Sequence, residues 1–202
     1  AINPMETAAV VLDPGSWLTK PGIAGEDQPV AMVKSVVGRL NSEGQEVLVG
    51  DEAIRLRKEG EELLYPIKGG GITDEEGFKA VLKYCYDRMN LFPDGRGVLL
   101  LEPPLTPQAT RERKMEIFME EYKVPFFNIA TSSLLSIYSY GRTTGFCVEI
   151  GEDSLYCLPT FEGYLLEPLI RRSELGSHVL TQYLLDNLSL PEGKHLTKEL
   201  AQ

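Results

Sequence analysis

Cysteine, histidine, tryptophan and positive charge are all scarce in this sequence. Its three cysteines, Cys85, Cys147 and Cys157, show no Cys-x-x-Cys spacing, which excludes a zinc ribbon and a thioredoxin-type redox motif. Cys147 and Cys157 fall on neighbouring expected strands, so a bond between them is conceivable. So small a number fits free intracellular thiols better than a disulfide framework. The two histidines, His178 and His195, are too few and too separate to suggest a metal site. Twenty Lys and Arg against thirty Asp and Glu leave a net charge of −10 and a pI near 4.8. A nucleic-acid surface needs clustered cations, so direct nucleic-acid binding is not expected. No apolar run approaches the roughly 20 residues of a membrane helix. The opening stretch AINPMETAA lacks the basic start and apolar core of a signal peptide, so no membrane partner is expected either. What is present is ordinary for a globular protein: 202 residues, 43% hydrophobic and 25% charged, enough for one or two domains with real cores.

The stretch that organises the chain is AAVVLDPGSWLTKPGIAG, residues 8–25. An apolar run, Ala9 to Leu12, ends in Asp13. Pro14, Gly15 and Ser16 turn the chain, and Trp17, Leu18 and Thr19 start a second run. This reads as a buried strand, a tight turn and a return strand. A turn with free N–H groups can hold phosphate oxygens, and an acid beside it can hold a magnesium ion through water. An ordinary hairpin with Asp and Gly in its turn would look the same. The pattern recurs, however. Residues 145–158 read GFCVEIGEDSLYCL, in which an apolar run ends in Glu149, Ile150 to Asp153 turn the chain, and Leu155 to Leu158 return it. Gly151 matches Gly15. A repeat of this length suggests two related halves.

The segment between has its own periodicity. A third strand is expected at Val30 to Val33, and a surface helix or turn over Glu52 to Glu62. Lys68-Gly69-Gly70-Gly71 lacks the Gly-Lys-Ser/Thr ending of a P-loop and reads as a flexible connection. Thr73 or Asp74 caps a helix whose apolar stripe is Phe78, Val81, Leu82, Cys85, Tyr86 and Met89. Val98 to Leu101 is a short buried strand ending in Glu102. Thr110 to Tyr122 is a second helix, with Met115, Phe118, Met119 and Tyr122 expected inward. A strand over Phe126 to Ala130 and a helix over Ser132 to Tyr140, ended by Gly141, complete a β-β-β-α-β-α-β-α order. From Thr144 the order restarts: two strands, a third near Tyr164 to Ile170, and a helix from about Leu175 to Leu188 with a stripe of Leu175, Leu180, Tyr183, Leu184 and Leu188.

Two hairpins with an acid at each strand end resemble the nucleotide clamp of the actin, sugar-kinase and heat-shock-chaperone ATPases. Blocks in order narrow this to the actin family: Val36-Val37-Gly38-Arg39, Val49-Gly50-Asp51-Glu52-Ala53, Tyr65-Pro66-Ile67, Leu101-Glu102-Pro103-Pro104-Leu105, Arg111-Glu112-Arg113-Lys114, Gly141-Arg142-Thr143-Thr144-Gly145 and Phe161-Glu162-Gly163-Tyr164. The sequence resembles an actin-related protein rather than a conventional actin. The resemblance implies an α/β fold of the actin-like, ribonuclease H-like type, a duplicated βββαβαβα. Residues 1–143 would form the complete first half, with a small subdomain at about 34–70. Residues 144–202 would begin the second. The connection from Leu40 to Val49 is shorter than the loop that actin inserts into a neighbouring filament subunit.

As cofactor, the resemblance implies ATP or ADP with Mg2+. Asp13, Gly15, Ser16, Lys20, Glu149 and Gly151 would bind the nucleotide, and Asp13 would hold the metal through water. Several residues depart from the family pattern. Pro14 offers no N–H, and Trp17 replaces a small residue, either crowding the cleft or packing beneath it. Ile150 replaces a Ser, and Asp153 replaces a Gly where a carboxylate would repel phosphate. Ser132 and Tyr156 stand where the family has its water-positioning Gln and helping His, although Ser132 equally suits a helix N-cap. No catalytic residue is assigned. The expected function is a structural or adaptor subunit of a cytoskeletal, ciliary or chromatin-associated assembly, in the cytoplasm or the nucleus. Hydrolysis is lost and nucleotide binding weakened in this reading. The alternative is an ATP-hydrolysing filament former. Partners would be proteins, among them actin or other actin-related proteins. They would dock at a groove lined by Tyr138, Gly141, Thr143, Tyr164 and Leu165.

Overall fold

The computed structural model describes residues 8–39, 47–57 and 62–188. The chain divides into two compact units, with the division between Leu135 and Ser136.

The first unit is built on β1 (Val10–Pro14) and β2 (Leu18–Ile23), an antiparallel hairpin in which Asp13 lies opposite Lys20. β3 (Val33–Lys34) adds to β2. It is shorter than the strand expected from Val30. The Val30 N–H donates to the Pro21 carbonyl, but Pro21 has no N–H to return, and the ladder cannot extend there. β4 (Val37–Arg39), β5 (Val47–Val49) and β6 (Leu63–Leu64) form a small sheet in the order β5-β4-β6, with α1 (Asp51–Leu56) after β5. The shortened connection expected from Leu40 falls largely on residues 40–46, outside the described residues. β7 (Ile67–Lys68) and β8 (Gly71–Ile72) form a tight hairpin rather than a flexible connection. Its turn residues, Gly69 and Gly70, have φ of 55° and 79°, which glycine adopts without strain. A Cβ on Gly70 would also meet Pro103 Cγ at 2.4 Å.

α2 (Glu75–Met89) buries Phe78, Val81, Leu82, Cys85 and Tyr86, as its spacing predicts. Asp74 holds the N-cap position, and Asn90 ends the helix in the left-handed conformation. Burial pushes the Cys85 thiol up to about 12. β9 (Val98–Glu102) and β10 (Phe127–Thr131) run parallel to each other, and β9 runs parallel to β1. The five-stranded sheet therefore has the order β10-β9-β1-β2-β3. Val10, Leu12 and Leu100 of its central strands are fully buried with Phe78, Val81 and Leu82. Each such side chain contributes about 1.5–3 kcal/mol.

α3 (Gln108–Glu116) continues as a wider π turn over Ile117–Glu121. Its inward face corrects the sequence expectation. Lys114, Ile117 and Phe118 are buried, Tyr122 packs on Tyr86 and Phe118, and Met115 and Met119 are exposed. A lysine on the true inward stripe disguises it. Lys114 turns inward because Glu102, at the end of β9, supplies a buried carboxylate 3.6 Å from its Nζ. Arg111 Nε bonds the other oxygen of Glu102.

The division falls within α4 (Ser132–Ser139). The second unit then follows as β11 (Gly145–Ile150), β12 (Leu155–Phe161), β13 (Tyr164–Leu165), β14 (Arg171–Ser173) and α5 (Ser177–Asn187). The single strand expected near Tyr164 to Ile170 is two short strands, separated by a 3-10 turn at Glu167–Leu169. β12 lies between β11 and both short strands. Cys147 pairs with Leu158 and Cys157 with Val148, so the thiols point to opposite faces and form no disulfide with each other. One face of this sheet holds a small core of Tyr156, Leu158 and Ile170 with Leu165. On the other face Phe146, Val148 and Ile150 are exposed. The α5 stripe is also exposed, at Leu175, Leu180, Tyr183, Leu184 and Leu188, and Thr181 is the residue α5 buries.

Breaking the buried pair should be costly, and replacing Lys114 should not. Glu102→Ala leaves the Lys114 ammonium buried without its carboxylate and should cost about 3–5 kcal/mol, whereas Lys114→Met should be neutral or stabilising. Burial holds the Lys114 pKa below the usual lysine value. Between those two values the unfolded chain binds the extra proton, so the penalty fades as pH rises. The stability gap between Lys114→Met and the parent should therefore shrink from pH 7 to pH 10. Urea melts of the full-length protein at both pH values check this.

Candidate functional site

Three parallel strands, β1, β9 and β10, end on the same side of the first sheet, where α/β folds place their ligands. Those ends carry Asp13, Glu102 and Thr131, and Ser132 follows as the first residue of α4. Glu102 is buried and held by Arg111 and Lys114, so its role here is structural. Asp13, by contrast, is partly exposed, and its carboxylate lies 2.5 Å from Lys20 Nζ across the hairpin.

The tip of this hairpin is bound from several sides. The Gly15 N–H donates to the Asp13 and Leu18 carbonyls, both at 3.1 Å. A Cβ at Gly15 would come within 2.7 Å of the Leu18 oxygen, so the turn needs glycine. Ser35 Oγ donates to the Gly15 carbonyl at 2.7 Å and meets the buried Thr19 hydroxyl at 2.8 Å. Ser16 Oγ accepts the Gly69 N–H at 3.2 Å, which ties the hairpin to the β7–β8 turn. Trp17 stacks on Tyr65 with ring centroids 6.3 Å apart. Lys34 Nζ lies 5.5 Å from the Trp17 ring and 3.0 Å from Asp51. The structure thus brings Asp13, Gly15, Ser16 and Lys20 together.

The second hairpin is also closed on its own unit. The Gly151 N–H donates to the Ser154 carbonyl at 3.0 Å. The start of α5 grips the turn, as Ser177 N–H donates to the Gly151 carbonyl and Ser177 Oγ to the Glu152 carboxylate at 2.6 Å. His178 N–H donates to the Glu152 carbonyl, which His178 Nδ1 also meets at 2.6 Å. This contact needs Gly176, because a Cβ there would lie 2.0 Å from the Glu152 oxygen. Glu149 lies opposite Tyr156 on the ladder, and Tyr156 is buried in the small core under the Arg172 guanidinium. The grip of Ser177 and His178 went unread in the sequence. Its one local signal was Leu-Gly-Ser ahead of the helix, which reads as a plain helix start.

The residues named for a partner groove lie in the second unit. Tyr138 OH donates to the Gly163 carbonyl at 3.2 Å, and the Gly163 N–H donates to the Thr143 carbonyl at 2.7 Å. The β12–β13 turn at Glu162 and Gly163 is thereby fixed beside the end of α4. Gly141 ends that helix with φ of 68°. Tyr138, Phe161 and Tyr164 are exposed, with Phe161 and Tyr164 directly opposite on the ladder. Leu165 instead packs on the small core, so Leu166 is the leucine with the larger exposure.

The comparisons with known proteins give the family. The Actin family model matches residues 5–198. Actin-like protein 7A of Bos taurus is 35% identical over 204 residues, 95% of this chain and 45% of its own length. The Mus musculus protein of that name is 34% identical over 205 residues. Putative actin-29 of Dictyostelium discoideum is 34% identical over 200 residues, 94% of this chain and 51% of its own length. The chain spans about half the length of the curated relatives it matches, and its mixed α/β architecture is the actin-like fold. The chain belongs to the actin family, as a divergent actin-related protein.

Proposed function

We propose that this actin-related protein serves as a structural or adaptor subunit of a larger protein assembly, with ATP hydrolysis lost and nucleotide binding weakened. The observation that supports this is the internal use of both hairpins. Lys20 pairs with Asp13, Gly69 donates to Ser16, and Gly151 and Glu152 are engaged by Ser154 and Ser177. A Mg2+-nucleotide held at Asp13, Gly15, Ser16 and Lys20 would have to displace Lys20 from Asp13, and phosphate held at Glu149 and Gly151 would meet the Asp153 carboxylate of the same turn. Hydrolysis further needs a group that positions water. Ser132 is short for that task, and Tyr156 is committed to a core. The retained Asp13, Gly15 and Lys20 favour the second reading, an ATP-binding filament former. Under either reading the protein works within the cytoskeleton, the cytoplasm or the nucleus.

The partner surface in this proposal is the patch around Tyr138, Gly141, Thr143 and Tyr164. Its exposed aromatics suit an amphipathic helix from a protein partner, in the helix-in-groove mode.

Phosphate release by the full-length protein tests the first half of the proposal. Turnover should be negligible beside a conventional actin assayed in parallel. Turnover matching that actin, and abolished by Asp13→Ala, would contradict it. The surface is tested by Tyr138→Asp and Tyr164→Asp. Each should reduce co-purifying partner protein about ten-fold or more at unchanged melting temperature, since truncating a buried interface aromatic costs about 2 kcal/mol or more. Retention of the partner by both variants would remove the groove from the account.

A further inference from the structure

Trp17 is the single tryptophan of the sequence, and it stands at the tip of the first hairpin, two residues after Gly15. The structure decides how it is accommodated. Its ring stacks on Tyr65 at an interplanar angle of 25°. Tyr65 lies just before the β7–β8 hairpin, whose turn residue Gly69 donates to Ser16. The Trp17 carbonyl accepts the Ser35 N–H at 2.8 Å. Lys34, next in the chain, brings its ammonium over the same indole while pairing with Asp51. One aromatic side chain thus joins three separate segments: the hairpin tip, the 63–72 segment and the end of β3. All of these lie within the first unit.

The geometry points to Trp17 as a latch that fixes the tip of the first hairpin and sets its affinity for a phosphate-bearing ligand. This inference rests on the reading of that hairpin as a weakened nucleotide site. A hairpin that takes phosphate oxygens must let its tip adjust to them, and Lys20 must turn from Asp13 toward the anion. With the indole braced by Tyr65 and Lys34, the tip cannot shift unless the stack separates. The ligand-free arrangement is therefore favoured by the energy of the aromatic pair, and binding has to overcome that difference.

The test is the binding of Mg2+-ADP and of inorganic pyrophosphate to the full-length protein, by calorimetry. The parent is compared with Trp17→Ala, Tyr65→Leu and the double variant. Trp17→Phe and Tyr65→Phe serve as controls that keep the stack. Breaking the stack from either side should tighten binding of both probes roughly 3- to 10-fold, the range expected for one aromatic pair. The double variant should gain no more than the better single one, and the Phe variants should match the parent. Tyr65→Leu keeps the test open if Trp17→Ala fails to fold. Unchanged or weaker binding in both single variants overturns the latch. If no variant binds either probe, the latch is overturned while the reading of a weakened site stands. Tight binding by the parent, unaltered in the variants, overturns both.

Discussion

Asp13 and Lys20 face each other across the β1–β2 ladder, and the chemistry of the first unit depends on that register. β1 is held between β9 and β2, with Val10 and Leu12 fully buried, so the strand cannot slip. A slip of one residue would send both leucine and valine to the wrong face. The packing of the core thereby fixes where the carboxylate emerges and which cation meets it. The pair is partly exposed, so it adds at most about 1 kcal/mol to stability. Its consequence is electrostatic. The two charges that a phosphate and a metal would need are already satisfied by each other.

The second unit repeats the device by other means. There a carboxylate and a carbonyl of the turn are taken by Ser177 and His178 at the start of α5, and the close approach is possible because residue 176 is glycine. Two hairpins of related form are therefore each closed, one by a cross-strand ion pair and one by a helix start. β11 has Gly145, Cys147 and Glu149 on the side of the small core and an apolar row, Phe146, Val148 and Ile150, on the opposite face. Among the described residues that face is exposed, and so is the α5 stripe.

Much of the fold was legible because its signals are local. The α2 stripe, the β1–turn–β2 sequence around Gly15 and the helix end at Gly141 each follow from spacing and from glycine. The misreadings came from residues whose setting is decided by distant partners. Lys114 was not on the expected inward stripe and is core, because Glu102 waits at the end of a strand twelve residues earlier in the chain. Counting Met115 and Met119 as core instead turned the helix by about one residue, roughly 100°. Lys68 to Gly71 looked like a loose linker, yet Pro103 and Ser16 make it a fixed turn. The candidate residues Asp13 and Gly15 were singled out by the repeat, and Ser16 and Lys20 by the resemblance to the actin family. The residues that bind them down, Tyr65, Gly69 and Lys34, carried no local signal of that role.

The central claim is that hairpins satisfied from within hold nucleotide poorly. It is tested most directly by the adenine nucleotide carried by the full-length protein after native purification in Mg2+, released by acid and quantified against protein. Well under one nucleotide per chain is expected. A stoichiometric nucleotide, retained through gel filtration and lost on Asp13→Ala, would contradict it.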